Sequence, residues 1–262
     1  MAPLLPKKAL ELSPHLTKIA NMITDRIYQY VFSVALVLFL RPSVSTAGLD
    51  ANQILKAADE IRNPSESFKM QVQLKDADHE YEYDVLVKGK EKSIIVSKKP
   101  AREAGRNMLM LNRDFYLYMP NLKRSMRLSL SQKLSGQVSY GDVARTRWYG
   151  DYDIESSSVN KDGVVELNLL ANKTGLTYER IKLEVDQKTE RPLKAQYLSR
   201  DGKVILKTAY FENYKAMAGK QRPTLIRIQD VGSKESYLNI LSMKSEELSD
   251  SLFSEGRLSS LK

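Results

Sequence analysis

The 262-residue chain contains no cysteine, which excludes disulfides, thiolate nucleophiles, cysteine-ligated zinc and a lipid-modified N-terminal cysteine. Histidine is nearly absent as well, His15 and His79 being the two. No HExxH pair, GxSxG elbow or GxxxxGK[ST] loop occurs, so the residue sets that position a metal, a nucleophile or a phosphate are missing and no enzyme is expected. His79 lies in Asp76-Ala77-Asp78-His79-Glu80. Neighbouring loop residues seldom converge on one ion, so this segment reads as a solvated turn, and neither metal nor cofactor is expected. The chain also lacks a Gly/Ser/Pro-rich linker and any repeat of about 20 to 50 residues.

What is present bounds the protein further. A hydrophobic content of 42% supports a real core, and 41 Lys and Arg against 32 Asp and Glu give a formal charge of +9. Long apolar runs are also scarce. The run Val31–Leu40, VFSVALVLFL, is broken only by Ser33 and is too short to span a bilayer comfortably. With Arg26 ahead of it and Ser45-Thr46-Ala47 after it, it fits a signal peptide cleaved after Ala47. Residues 1–21 are long for such a leader, and Met22 would supply a more ordinary start. Removal of residues 1–47 takes away a net +3 of the +9 and leaves +6. An exported chain without disulfides points to a bacterial periplasm, with residues 48–262 as a single domain.

From Gly48 onward the pattern is mostly that of strands. Leu49–Arg62 reads first as a helix, with Asp50 as its cap, Gln53 at the reciprocal capping-box position, and Ile54, Leu55, Ala58 and Ile61 on one face. Phe68, Met70, Val72 and Leu74 then alternate with polar residues, as do Tyr81, Tyr83, Val85 and Val87, a period of two. Further strands are predicted at Ser93–Lys98, Val164–Leu170, Tyr178–Asp186, Leu193–Ser199, Val204–Tyr214, Thr224–Asp230 and Tyr237–Met243. Asp162-Gly163 and Asp201-Gly202 are hairpin signals. About ten strands with short connections make a large antiparallel sheet that must curl. Ser249–Leu258 is expected to dock on an edge of it.

Gly105–Asp153 stands apart, holding four of the nine methionines and the one tryptophan. Met108–Leu111 and Phe115–Met119 flank a polar break at Asn112-Arg113-Asp114, and neither alternates, so both faces of these strands should be covered. Lys123, Arg124, Arg127, Arg145 and Arg147 lie among aromatics in the same stretch. Such a set could stack and pair with nucleic acid, but export argues against that partner, and these residues read as a rim for lipid headgroups or an anionic partner.

The order of Ile54-Leu55, Pro100, Gly105, Leu109, Phe115-Tyr116-Leu117-Tyr118-Met119-Pro120, Arg124, Arg127, Ser131-Gln132, Gly136 and Asp142 resembles the outer-membrane lipoprotein-sorting proteins, relatives of the periplasmic carrier LolA. Tyr178, Ile181, Leu183, Asp186, Pro192, Tyr197, Gly202-Lys203, Phe211, Tyr214 and Pro223 extend the resemblance over nearly all of the mature chain. It implies a mainly β (α+β) fold, an incomplete curled antiparallel barrel closed by helices around an apolar cavity. It also implies a periplasmic carrier or chaperone for the acyl chains of lipoproteins or lipids, loaded from an inner-membrane transporter and touching membranes only transiently. On that basis the cavity wall is expected from Met108, Met110, Phe115, Leu117, Met119, Met126 and Leu128, with Trp148 and Tyr149 at its mouth. Gln137–Arg145 is more polar than the family's pattern at this point, and particular specificity is expected within Gln137–Arg147. The other functional class that fits is a non-transporting module that docks on a membrane efflux or lipid-export transporter through the basic rim.

Overall fold

The computed structural model describes residues 50–64, 66–89, 91–112, 114–129, 133–135, 138–144, 147–232 and 234–261. The leader, with Val31–Leu40 and the cleavage position after Ala47, lies outside the described residues.

Helix α1 (Ala51–Arg62) opens this part of the chain. The Asp50 carboxylate accepts the backbone N–H groups of Asn52 and Gln53, both at 3.1 Å, satisfying two of the donors that every helix start leaves open. Ile54, Leu55, Ala58 and Ile61 are its buried stripe, as their spacing predicts. Asn63-Pro64 ends the helix because proline cannot continue the hydrogen-bond ladder.

The strands follow as β1 (Phe68–Lys75), β2 (Glu80–Lys88), β3 (Lys92–Lys99), β4 (Met108–Leu111), β5 (Asp114–Met119) and β6 (Arg124–Arg127). The short pair β7 (Lys133–Ser135) and β8 (Val138–Ser139) leads into the one-turn helix α2 (Tyr140–Ala144). The second half holds β9 (Tyr152–Val159), β10 (Val164–Ala171), β11 (Arg180–Asp186), β12 (Pro192–Leu198), β13 (Ile205–Met217), β14 (Lys220–Asp230) and β15 (Glu235–Ser245). All except β7 and β8 join one 13-stranded antiparallel sheet in the order β6-β5-β4-β3-β2-β1-β15-β14-β13-β12-β11-β10-β9. Two meanders are thus sewn together by the pairing of β1 with β15, for example Leu74 opposite Leu238.

The sheet is open, and it must curl. Thirteen strands laid flat would be roughly 58 Å wide, whereas a helix with its side chains is only about 10–12 Å across. Yet α1 touches β9, β12 and β14 and shares a cleft with Phe68 and Met70 of β1, Val87 of β2 and Met110 of β4. Strands from both halves of the sheet therefore wrap around one short helix. Their inward residues, among them Val72, Leu74, Val85, Ile95, Leu167, Leu183 and Ile226, form the buried interior.

Two features differ from the sequence reading. The sheet holds thirteen strands and not about ten, and β9 had no signal because Ser156, Ser157 and Ser158 make an exposed edge with no alternation. The segment after Leu248 covers a face and not an edge. Two 3₁₀ turns, Asp250–Leu252 and Glu255–Ser260, place Phe253 and Leu258, with Leu248, against Ile94, Val96 and Leu109 on the outside of β3 and β4. Buried Asn107 fastens this segment by donating to the carbonyls of Leu258 and Leu261, both at 2.9 Å. This outer layer is why β4 is apolar on both sides: Leu109 faces the C-terminal segment, and Met108 and Met110 face the interior.

Candidate functional site

Between α1 and strands β1, β2 and β4 lies a cleft of about 90 Å³. Its floor is apolar, built from Phe68, Met70, Val87, Met110 and Val143. Its rim is charged, with Lys56 and Glu60 from α1, Lys92 from β3 and Arg147 from the segment before β9. The floor arises because inward positions of β1 and β2 repeat every second residue and α1 lies across them. The cleft survives because Phe68 and Met70 sit at one end of β1, beyond the bulk that fills the centre.

That bulk is large. Trp148 is fully buried, its ring edge-on to Phe211 at 5.6 Å and under the Arg62 guanidinium at 4.7 Å. Trp148 therefore belongs to the core and not to a cavity mouth, a correction to the sequence reading. An indole buries more apolar surface than any neighbour here could replace, which draws it inward. Tyr149, the next residue, does line the cleft, with Lys56 Nζ 6.0 Å from its ring centre.

Of the other side chains expected in the cavity, Met110 lines the cleft, while Met108, Phe115 and Leu117 are buried in the packed interior. Met119 and Leu128 are half-buried, and Met126 is 37% exposed on the edge strand. The expected cavity wall is thus divided between cleft, core and surface. Of the expected rim, Arg147 lines the cleft and donates to the Tyr149 carbonyl at 3.2 Å. Lys123, Arg124 and Arg127 are exposed on the β5–β6 hairpin, away from it, with Arg127 paired to Asp114. Arg145 lies outside the described residues.

Three groups that sequence reasoning missed hold the cleft together. Asp59, on the buried side of α1, accepts Tyr149 N–H at 3.2 Å and the Asn63 amide at 3.2 Å. Burial pushes its carboxyl above the usual carboxylate range, although Arg62 pulls the other way. Arg222 of β14 donates to the carbonyls of Glu60 (2.6 Å), Ile61 (2.7 Å), Met217 (2.9 Å) and Ala218 (3.2 Å). It thereby satisfies acceptors that the end of α1 leaves open and ties the helix to the β13–β14 hairpin.

The third group is a buried polar cluster that pins α2. Asp142 pairs with Lys207 of β13 and accepts hydrogen bonds from Tyr178 Oη (2.7 Å) and from the hydroxyl (2.9 Å) and backbone N–H (2.8 Å) of Ser139. Burial, reinforced by the charge of Asp142, raises the Tyr178 hydroxyl well above its ordinary value. Gly141 leaves room for this approach, since a Cβ there would meet Thr177 Oγ1 at 2.1 Å. On its other side α2 touches β2 and β3, and its Val143 lines the cleft. The segment read as a polar departure from the family pattern thus bridges the two halves of the curled sheet.

The turn around His79 brings together Asp76, Asp78 and His79. Asp76 accepts the backbone N–H groups of Asp78 (3.0 Å) and His79 (2.9 Å), and this turn geometry accounts for their proximity. Among the described residues no helix is long and apolar enough to cross a membrane.

A single curled antiparallel sheet, open along both edges, with a capped helix and an apolar cleft inside it, defines a helix-lined half-barrel. A LolA superfamily protein from Nitrosomonas europaea has this fold, with 37% identity, a TM-score of 0.70, and coverage of 79% of this chain and 98% of that one. The chain belongs to the LolA superfamily. A domain from Vibrio parahaemolyticus described as an outer membrane lipoprotein-sorting protein shares the fold at 22% identity and a TM-score of 0.62, covering 79% of this chain and 97% of that one. So does a DUF1329 family protein from Desulfovibrio piger, at 20% identity and a TM-score of 0.63 with the same coverages. A family model described as an uncharacterized protein matches residues 89–260. No curated protein matches the sequence significantly.

Proposed function

We propose that the protein is a periplasmic carrier that binds the acyl chain of a lipoprotein or lipid in the cleft under α1, without chemistry of its own. The observation that carries this reading is the apolar floor of Phe68, Met70, Val87, Met110 and Val143 beneath a charged rim. A floor of this kind takes an apolar chain while Lys56 and Arg147 meet a polar or anionic head. A module that only docked on a transporter would have no use for such a cleft.

The volume bounds the mechanism. About 90 Å³ is small beside the roughly 300–1,000 Å³ of pockets that enclose drug-sized ligands, so the cleft as it stands takes only part of an acyl chain. A full acyl chain therefore needs more room. The segment to give way is α2, since Val143 walls the cleft and Asp142 is its fastening.

The test is native mass spectrometry of the mature protein purified from its own periplasm, beside a Val87→Trp variant that fills the cleft. Bound lipid or acylated protein on the wild type and its loss from the variant are expected. Repeated absence of any ligand from the wild type would overturn the carrier.

A further inference from the structure

Residues 115–141 contain four basic residues and not one acidic residue, in a chain with 32 Asp and Glu. The β5–β6 hairpin occupies the first half of this stretch and forms one edge of the sheet. Its turn is closed by Leu122 N–H donating to the Met119 carbonyl (3.1 Å) and Lys123 N–H donating to the Pro120 carbonyl (3.3 Å). Lys123 adopts φ 49°, a left-handed conformation that glycine or asparagine takes more readily than lysine. At the tip Leu122 is 48% exposed, and Met126 follows on β6. Lys123 and Arg124 are exposed beside them and have no ion-pair partner among the described residues. None of these side chains lines the cleft.

Single exposed aliphatic residues are ordinary. An exposed leucine and methionine interleaved with cations, on a tip with no acidic residue near it in sequence, is a different pattern. It has the composition by which a peripheral element enters a lipid interface, with apolar side chains dipping among the acyl chains and cations held at the headgroups. We propose that the β5–β6 hairpin docks the protein reversibly on an anionic lipid surface, with Leu122 and Met126 inserted and Lys123 and Arg124 against the headgroups. The charge is complementary, and a hairpin tip needs no groove to meet a bilayer. The inference stands independently of what the cleft carries.

Sedimentation of the mature protein with vesicles tests it, using phosphatidylcholine alone and phosphatidylcholine mixed with phosphatidylglycerol. The wild type should pellet with the anionic vesicles, less so at high salt as the headgroup attraction is screened. Each basic residue near such a surface is worth about a fivefold gain in partitioning, so Lys123→Glu/Arg124→Glu should weaken binding about 25-fold or more. Leu122→Ser/Met126→Ser should also weaken it. Both variants change exposed side chains and should keep the wild-type melting temperature, which separates lost docking from lost fold. Equal binding to neutral vesicles, no binding by the wild type, or undiminished binding by either variant would overturn the proposal. A wild type that ignores vesicles but binds an acidic protein through the same residues would assign the hairpin to protein docking instead.

Discussion

At the scale of single residues, Asp59 shows most clearly how much of the site depends on burial. The carboxyl is 6% exposed and holds its proton to a higher pH than the value of 3.8 expected in the unfolded chain. Above pH 3.8 the native state consequently binds more protons than the unfolded one, and the stabilising contribution of this group, present at lower pH, is lost as pH rises through its native pKa. Urea unfolding of the wild type between pH 4 and 7 should show this falling component, and Asp59→Asn should lack it. An identical pH slope in the variant would mean that Asp59 is not buried as described. No sequence signal marked this residue. Asp59 is one acid among 32, on a helix whose apolar stripe was read from its other members.

At the scale of elements, α2 matters beyond its five residues because it links strands that do not otherwise meet. The Lys207–Asp142 pair is nearly buried at both ends, 9% and 7% exposed, and removing one member of such a pair leaves an uncompensated charge. Lys207→Ala should cost about 3–5 kcal/mol of unfolding free energy, measured by denaturant titration. A loss under about 1 kcal/mol would show that the cluster is wetter or looser than its geometry implies. The elements were unevenly legible in the sequence. α1, its cap and its stripe followed from local spacing alone, as did β1 and β2, because period and capping act within a few residues. β9 was illegible because an exposed edge has no face to bury, and β6–β8 were too short to show a period. The Lys207–Asp142 link joins positions 65 apart, and the sequence holds nothing that pairs one particular lysine with one particular aspartate. Trp148 was misplaced for a related reason: an aromatic beside Tyr149 fits a mouth or a core equally well until Phe211 and Arg62 are seen around it.

At the scale of the whole molecule, the sheet depends on one seam. β1 lies between β2 and β15, so the last strand closes the first meander onto the second. A chain ending at Lys234 would lose Leu238, Ile240 and Met243 from the interior, together with Leu248, Phe253 and Leu258 from the outer layer. Such a chain is expected to lack cooperative thermal unfolding and to be degraded rapidly in limited proteolysis. A compact, protease-resistant truncation would show that the β9–β14 meander folds by itself.

The seam also sets an order in time. Roughly 160 residues separate β1 from its partner β15, so a chain that crosses a membrane with its N-terminal end leading delivers β1 well before its partner. Through that interval β1 can pair with β2 on one side only, and its other side is a bare strand edge able to join any extended chain nearby. The emerging chain therefore passes through a period of exposure that ends only when its C-terminal strand arrives. A chaperone that shields residues 68–75 during that period would raise the yield of folded protein more than one acting after the chain is complete.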